Sequence, residues 1–382
     1  MDCLIKANDD RNLLRILEYA MIMTKIIHHL IISSLSSIFD NGKRCNNKEM
    51  NQNTNNNSEE FEARKSIDRV FELFLEYIPL LCKHLRESSF RQSTRNVSTM
   101  NDNSIDDSIK ALLGEFYSLV VEAQKAHAIS FSRFLDPFLT LFYSEIEWMA
   151  SMKQVEVKFA IPQIMFLANV ISCSHYEPDE SMNESMQTWR SEVTTGDHTR
   201  RAITSQGDIC IDPNSVNNAV QNVWRKFLTI ERIHNLVDLC LYYMTLNQSH
   251  LTAWIDDSES FYFERLNASA EEDIIACAQL MYIAMLESKC KPIVLDKISS
   301  YICRGDEQLN AASFESENTT DGQNYESILF WDTVYTATGL SLDSLKSGGF
   351  DLNNWFASTL SQVINILFTR KKSLQVCNID GF

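Results

Sequence analysis

Residues 214–246, NSVNNAVQNVWRKFLTIERIHNLVDLCLYYMTL, set Val216, Val220, Val223, Phe227, Ile230, Ile233, Val237, Leu241 and Met244 at steps of three and four. A helix turns once in about 3.6 residues, so this spacing draws one apolar stripe along one face. The pattern recurs at Leu13, Leu17, Ala20, Thr24, Ile27, Ile31, Leu35 and Ile38, and again at Ile67, Val70, Phe74, Ile78, Cys82 and Leu85. It returns over 108–128 through Ile109, Leu112, Phe116, Leu119 and Ala123. Further helices are expected at 131–148, 155–173, 271–288, 291–303, 324–345 and 350–370. Strand-like alternation is nearly absent, so the fold class reads as all-α.

Polar stretches divide the chain. An N-terminal helical segment over 1–45 precedes NNKEMNQNTNNN at 46–57, whose lack of apolar residues predicts a disordered linker over 46–64. Helical repeats are expected over 65–173, with Pro79 as a kink or break and a loop over 87–108. Residues 174–212, with Pro178, Gly196 and Gly207, read as a flexible insertion, and helical repeats resume over 213–382. Adjacent amphipathic helices in units of about 40–47 residues have the dimensions of HEAT or armadillo hairpins. A globular helical bundle satisfies the same periodicity.

Composition supports helices over sheets. Gly and Pro together number 10 + 6 = 16 of 382 residues, far below the usual share of turn residues. The charge is 34 − 51 = −17, which disfavours nucleic acid and anionic membrane surfaces and favours a basic protein partner. Ten cysteines without a C-x-x-C pair read as buried thiols in a reducing compartment. Asp2, Asp9 and Asp10 interrupt any secretory pattern, and Lys25, His28 and His29 interrupt the apolar run around 22–35, so neither secretion nor membrane insertion is expected.

The chain carries no G-x-S-x-G elbow, H-E-x-x-H helix, phosphate-cradling G-x-x-x-x-G-K-[ST] or G-x-G-x-x-G loop. His28 and His29 are adjacent and so diverge on a helix. Cys173-Ser174-His175 has no third orienting group nearby in sequence. No catalytic, metal or cofactor residue is expected, and the chain does not read as an enzyme. Acidic density is the positive signal. Over 251–273, Asp256, Asp257, Glu259, Glu264, Glu271, Glu272 and Asp273 face only Arg265, and a second acidic run covers 301–326. Such residues cap helix starts, and they also steer basic partners. Asp256, Asp257 and Glu259 are the candidate contact residues.

The segment L-T-A-W-I-D-D-S-E-S-F at 251–261, after the helix ending L-V-D-L-C-L-Y-Y-M at 236–244, resembles the importin-beta (karyopherin-beta) superfamily. Trp254, Asp257, Glu259 and Phe261 match that family's Trp followed by Asp-Pro-Glu-x-Phe, with Ser258 in place of Pro. Residues 265–287, with Cys277-Ala278, resemble the helix that follows. W-D-T-V-Y-T-A-T-G-L at 331–340 and F-D-L-N-N-W-F at 350–356 are similar to the importin-eleven-like branch, and H-A-I-S-F at 127–131 is a weaker echo. The likeness covers 215–370 and, faintly, 65–173.

The resemblance implies a HEAT/armadillo-like α-α superhelical solenoid of antiparallel helix pairs. It implies a nuclear import receptor that binds protein cargo under control of the GTPase Ran, touches nucleoporins, and works in cytoplasm, nucleus and the pores of the nuclear envelope. Trp254, Phe261, Trp355 and Phe356 are then expected to pack between hairpins. The start of the chain does not resemble the repeats that bind Ran, so the chain reads as an internal fragment. A helical-repeat interaction scaffold without transport activity is the competing reading.

Overall fold

The structure, a computed structural model, describes residues 13–29, 56–94, 100–153, 155–176, 213–312, 321–359 and 361. Every regular element among them is helical, as the periodicity requires. The chain forms two compact units, Met1–Thr229 and Ile230–Phe382.

The first unit contains α1 (13–29), α2 (Asn56–Thr94), α3 (Met100–Ala126), the short α4 (Ala128–Phe131), α5 (Leu135–Ser151), α6 (Val157–Ser172) and α7 (Pro213–Asn222). Helix α6 packs on α3 and α5, and α2 packs on α3. The core between them is aromatic. Phe74 stacks on Phe116 with ring centres 4.2 Å apart, while Phe71 meets Phe131 edge to face at 5.3 Å and Phe142 meets Phe166 so at 5.0 Å. Edge contacts of this kind add about 0.5–1.5 kcal/mol per pair to the area buried.

Helix α2 runs without interruption through Pro79, which lies on its exposed side where a carbonyl deprived of its partner meets water. Pro137 falls in the first turn of α5, where backbone N–H groups lack helical partners anyway. Two polar stretches turn out helical. Helix α2 begins at Asn56, inside the expected linker 46–64, and α2 and α3 cover 87–94 and 100–108 of the expected loop. Both stretches lack an unbroken apolar stripe, so hydropathy alone does not mark them as helical. Residues 46–55 and 177–212 lie outside the described residues.

The stretch 214–246 is not one helix. After α7 the chain widens into a π-helical turn, Val223–Phe227, closed by the Leu228 N–H donating to the Val223 carbonyl at 2.8 Å. Leu228 leaves helical geometry (φ −85°, ψ 56°), and the division between the units falls after Thr229. In the first unit, Phe227 meets Tyr143 edge to face at 5.8 Å, and the Trp224 indole N–H donates to the Tyr176 carbonyl. The turn serves to aim those two rings.

The second unit contains α8 (Ile230–Met244), α9 (Gln248–Asp256), α10 (Ser258–Leu266), α11 (Ile274–Glu287), α12 (Lys291–Ala312), α13 (Asp321–Leu340), α14 (Leu342–Ser347) and α15 (352–359). Helices α8, α11, α12 and α13 pack on one another around buried Leu236, Val237, Cys240, Cys277, Met281, Val294, Ile298 and Val334. Polar ties also cross this bundle. Asp238 accepts from Lys297 Nζ at 3.0 Å and from the Tyr301 hydroxyl at 2.7 Å, and the Tyr282 hydroxyl pairs with Ser341 Oγ at 2.6 Å.

Candidate protein-docking site

Helices α9 and α10 are each nine residues long and bury no residue. Isolated helices of that length are marginal in water, so the ends have to hold them. Asn247 begins α9 with a reciprocal cap: its side-chain oxygen accepts from the His250 N–H at 3.0 Å, and its own N–H donates to His250 Nδ1 at 3.2 Å. Asp257 closes one helix and opens the next. Its N–H donates to the Ala253 carbonyl at 3.0 Å, and its carboxylate accepts from the Ser260 N–H at 3.0 Å. The hairpin's base is tied by Arg265, whose guanidinium donates to Asp273 at 2.9 Å. The same Asp273 oxygen caps α11 by accepting from the Ala276 N–H at 2.7 Å.

These ends leave two apolar stripes uncovered. Trp254 and Ile255 lie on α9, and Tyr262, Phe263 and Leu266 lie at helical spacing on α10, while Leu251 of α9 is half-buried. Trp254, Ile255, Tyr262, Phe263 and Leu266 keep 52% to 80% of their surface in water. Phe261 is half-buried, its ring centre 6.4 Å from that of His250. Around the stripes stand the exposed carboxylates of Asp256, Asp257, Glu259 and Glu264. Arg265, the hairpin's one base, is already neutralised by Asp273.

Of the four aromatic residues expected to pack between hairpins, Trp254 and Phe356 do not, with 52% and 61% exposure. Helices of eight or nine residues offer few positions, and here the inward ones do not include these two. Trp355 is half-buried, its ring centre 6.1 Å from that of Tyr335. Trp254 and Phe261 share the hairpin, whereas Trp355 and Phe356 lie on α15. Ile255, Tyr262, Phe263 and Leu266 were not singled out by the sequence, because three-four spacing ordinarily marks a face that the chain itself covers. The caps Asn247 and Asp257, with only nine residues between them, were the available signal. The acidic run at 301–326 falls largely on residues whose side chains lie outside the description.

Among the described residues no group of His, Cys, Asp and Glu could hold a metal ion, and no helix is long and apolar enough to cross a membrane. Burial pushes the Cys82 thiol up to about 12 and raises those of Cys240 and Cys290, so these sulfurs stay protonated and weakly nucleophilic. No family model, no curated protein and no solved structure matches this chain.

Proposed function

We propose that this chain is a non-catalytic helical interaction module whose α9–α10 hairpin takes hold of a basic, partly apolar segment of another protein. The observation that carries the reading is the hairpin: five large apolar side chains left in water beside four carboxylates, on an element that contributes nothing to its own unit's core. Contiguous exposed apolar surface rimmed by charge marks association surfaces, aromatic residues supply most of their affinity, and the acidic rim selects and steers a basic partner.

The resemblance at 251–261 and 331–356 supports a narrower version: an importin-beta-type import receptor, or a piece of one. It would carry basic cargo on the concave side of a HEAT/armadillo-like solenoid under Ran control, meeting nucleoporins between cytoplasm and nucleus. Helices joined by short connections, such as α5 with α6, suit that architecture. The exposure of Trp254 and Phe356 favours the other version, a scaffold that docks a basic partner without transport.

Binding of a Lys/Arg-rich amphipathic peptide to the immobilised chain tests the shared reading. Saturable binding is expected, and loss of at least about tenfold in Trp254→Ser/Phe263→Ser. A double variant that binds like wild type disposes of the hairpin. Release of the loaded peptide on adding Ran-GTP would favour the receptor version, whereas a piece without the Ran-binding repeats keeps its peptide as a scaffold does. X-ray scattering tests the solenoid, because a compact 382-residue body has a radius of gyration of about 21 Å and a solenoid clearly exceeds it.

A further inference from the structure

Helix α1 of the first unit is apolar on two opposite faces. Its inner face carries Leu13, Leu17, Ala20 and Thr24, of which Leu17 and Thr24 are buried. Two polar ties join the helix to α3: Lys25 Nζ lies 3.3 Å from Glu115, and His28 Nε2 lies 2.7 Å from a Glu122 carboxylate oxygen. On the outer face Tyr19, Ile22, Met23 and Ile26 follow at steps of three and four, and they keep 47% to 69% of their surface in water. A helix apolar on both sides needs cover on both sides, and its own unit covers one.

The charges beside the outer stripe select its cover. Glu18 and Lys25 are exposed and, seven residues apart, project on the same flank of the stripe, one near each end. When a second copy of α1 lies end for end against the first, Ile22 meets Met23 of the other copy and Tyr19 meets its Ile26. Like flanks then face each other, and each Glu18 comes within about 3 Å, measured along the axis, of the other copy's Lys25. Opposite charges thus meet twice. Lys25 has three donors, so Glu115 does not exhaust it. A parallel pair would set the same flank against Ile16, Ala20 and Ile27, leaving charge against apolar surface.

A basic partner of the kind that suits the α9–α10 hairpin does not suit this face, where Arg15 and Lys25 stand against Glu18. We propose that α1 is a self-association surface, on which two copies of this chain pair antiparallel through Tyr19, Ile22, Met23 and Ile26. Four half-exposed side chains per copy cover on the order of 800 Å² in the pair, below the ~1,200 Å² at which stable interfaces begin. The dimer is therefore weak and reversible, with Kd on the order of 10–100 μM.

Sedimentation equilibrium of the full chain at about 5–500 μM should show a reversible monomer–dimer equilibrium. Ile22→Glu changes an exposed position, so the chain should fold as before and remain monomeric. Glu18→Lys and, separately, Lys25→Glu set like charges opposite each other, and each should weaken the dimer about fivefold at low salt. Mixed in equal amounts, these two variants regain both opposite-charge contacts in the mixed pair and should associate more tightly than either alone. Trp254→Ser/Phe263→Ser should dimerise like wild type, which separates this surface from the hairpin. Monomer throughout the range, a dimer that survives Ile22→Glu, or a dimer lost in the hairpin variant each overturns the proposal. A mixture no tighter than its components overturns it too, because only the antiparallel pair brings Glu18 to Lys25.

Discussion

Helices α5 and α6 of the first unit and helices α9 and α10 of the second begin from the same kind of sequence and end in opposite environments. Helix α5 buries Phe138, Leu139, Phe142, Ile146 and Met149, and α6 buries Phe159, Ile164, Phe166 and Leu167. Helices α9 and α10 bury nothing. Length accounts for much of this. With 17 and 16 residues, α5 and α6 have over four turns each with which to pack on one another, and α6 also packs on α3. With nine residues each, α9 and α10 pack chiefly on one another. Apolar periodicity therefore establishes that a face exists, and leaves open whether this chain or another covers it.

The largest expected effect tests the contrast directly. Phe142 is fully buried, with ring centres of Tyr117, Phe138 and Phe166 at 5.4, 5.7 and 5.0 Å. Phe142→Ala should cost about 3–5 kcal/mol in denaturant unfolding, because its neighbours relax only partly into the cavity. Phe263→Ala, at a position 53% exposed, should cost no more than about 0.5 kcal/mol. Comparable losses at the two sites would dissolve the comparison and return the hairpin to the core.

Next in size is the joint at the hairpin's base. Asp273 caps α11 and pairs with Arg265 through the same oxygen. Asp273→Ala should destabilise by about 1–2 kcal/mol, whereas Asp273→Asn, which keeps a cap acceptor, should recover about half of that. Thermal melts of the two variants decide it. If Asn and Ala prove equally harmful, the ion pair rather than the cap anchors the joint.

Much of this fold was legible from spacing alone. The stripes at Ile109–Ala123 and at Ala160–Ile171 lie on helices and are buried, as three-four periodicity demands, while Val157 at the start of the second is exposed. What escaped has local causes. The break at Leu228–Thr229 interrupts an unbroken apolar stripe, because the π-helical turn alters backbone hydrogen bonding without altering hydropathy. Helices in the polar stretches 56–64 and 100–108 have no stripe to show. The candidate site was legible in its charge, since Asp256, Asp257 and Glu259 are exposed, and illegible in its exposed aromatic rings, whose spacing matches a core face.

The acidic rim should yield a kinetic effect smaller than that of the apolar stripes. Asp256→Asn/Asp257→Asn/Glu259→Gln retains the capping oxygen of residue 257, so stability should change by no more than about 0.5 kcal/mol. Association of the basic peptide should slow several-fold at about 0.1 M salt, and the difference should vanish near 1 M as the screening length falls from about 10 to about 3 Å. Association rates identical to wild type at low salt would reduce these carboxylates to capping and solvation.

The smallest effect concerns how the hairpin holds itself together without a core. His250 closes the reciprocal cap of α9 by accepting the Asn247 N–H on Nδ1, a bond that a protonated ring cannot make. Burial holds its pKa below the usual 6.5, the Arg265 charge adds to that, and Asp273 opposes it. The frayed state thus takes up a proton that the capped state refuses, so the cap is fully stable above about pH 6.5 and weakens as pH falls through that value. The protection of the His250 and Leu251 amides, observed exchange divided into the intrinsic rate at the same pH, should fall on mild acidification. His250→Gln supplies the acceptor usual at that position of a capping box and does not titrate, so it should keep the protection constant. Protection that falls equally in the Gln variant would place the sensitivity outside this cap.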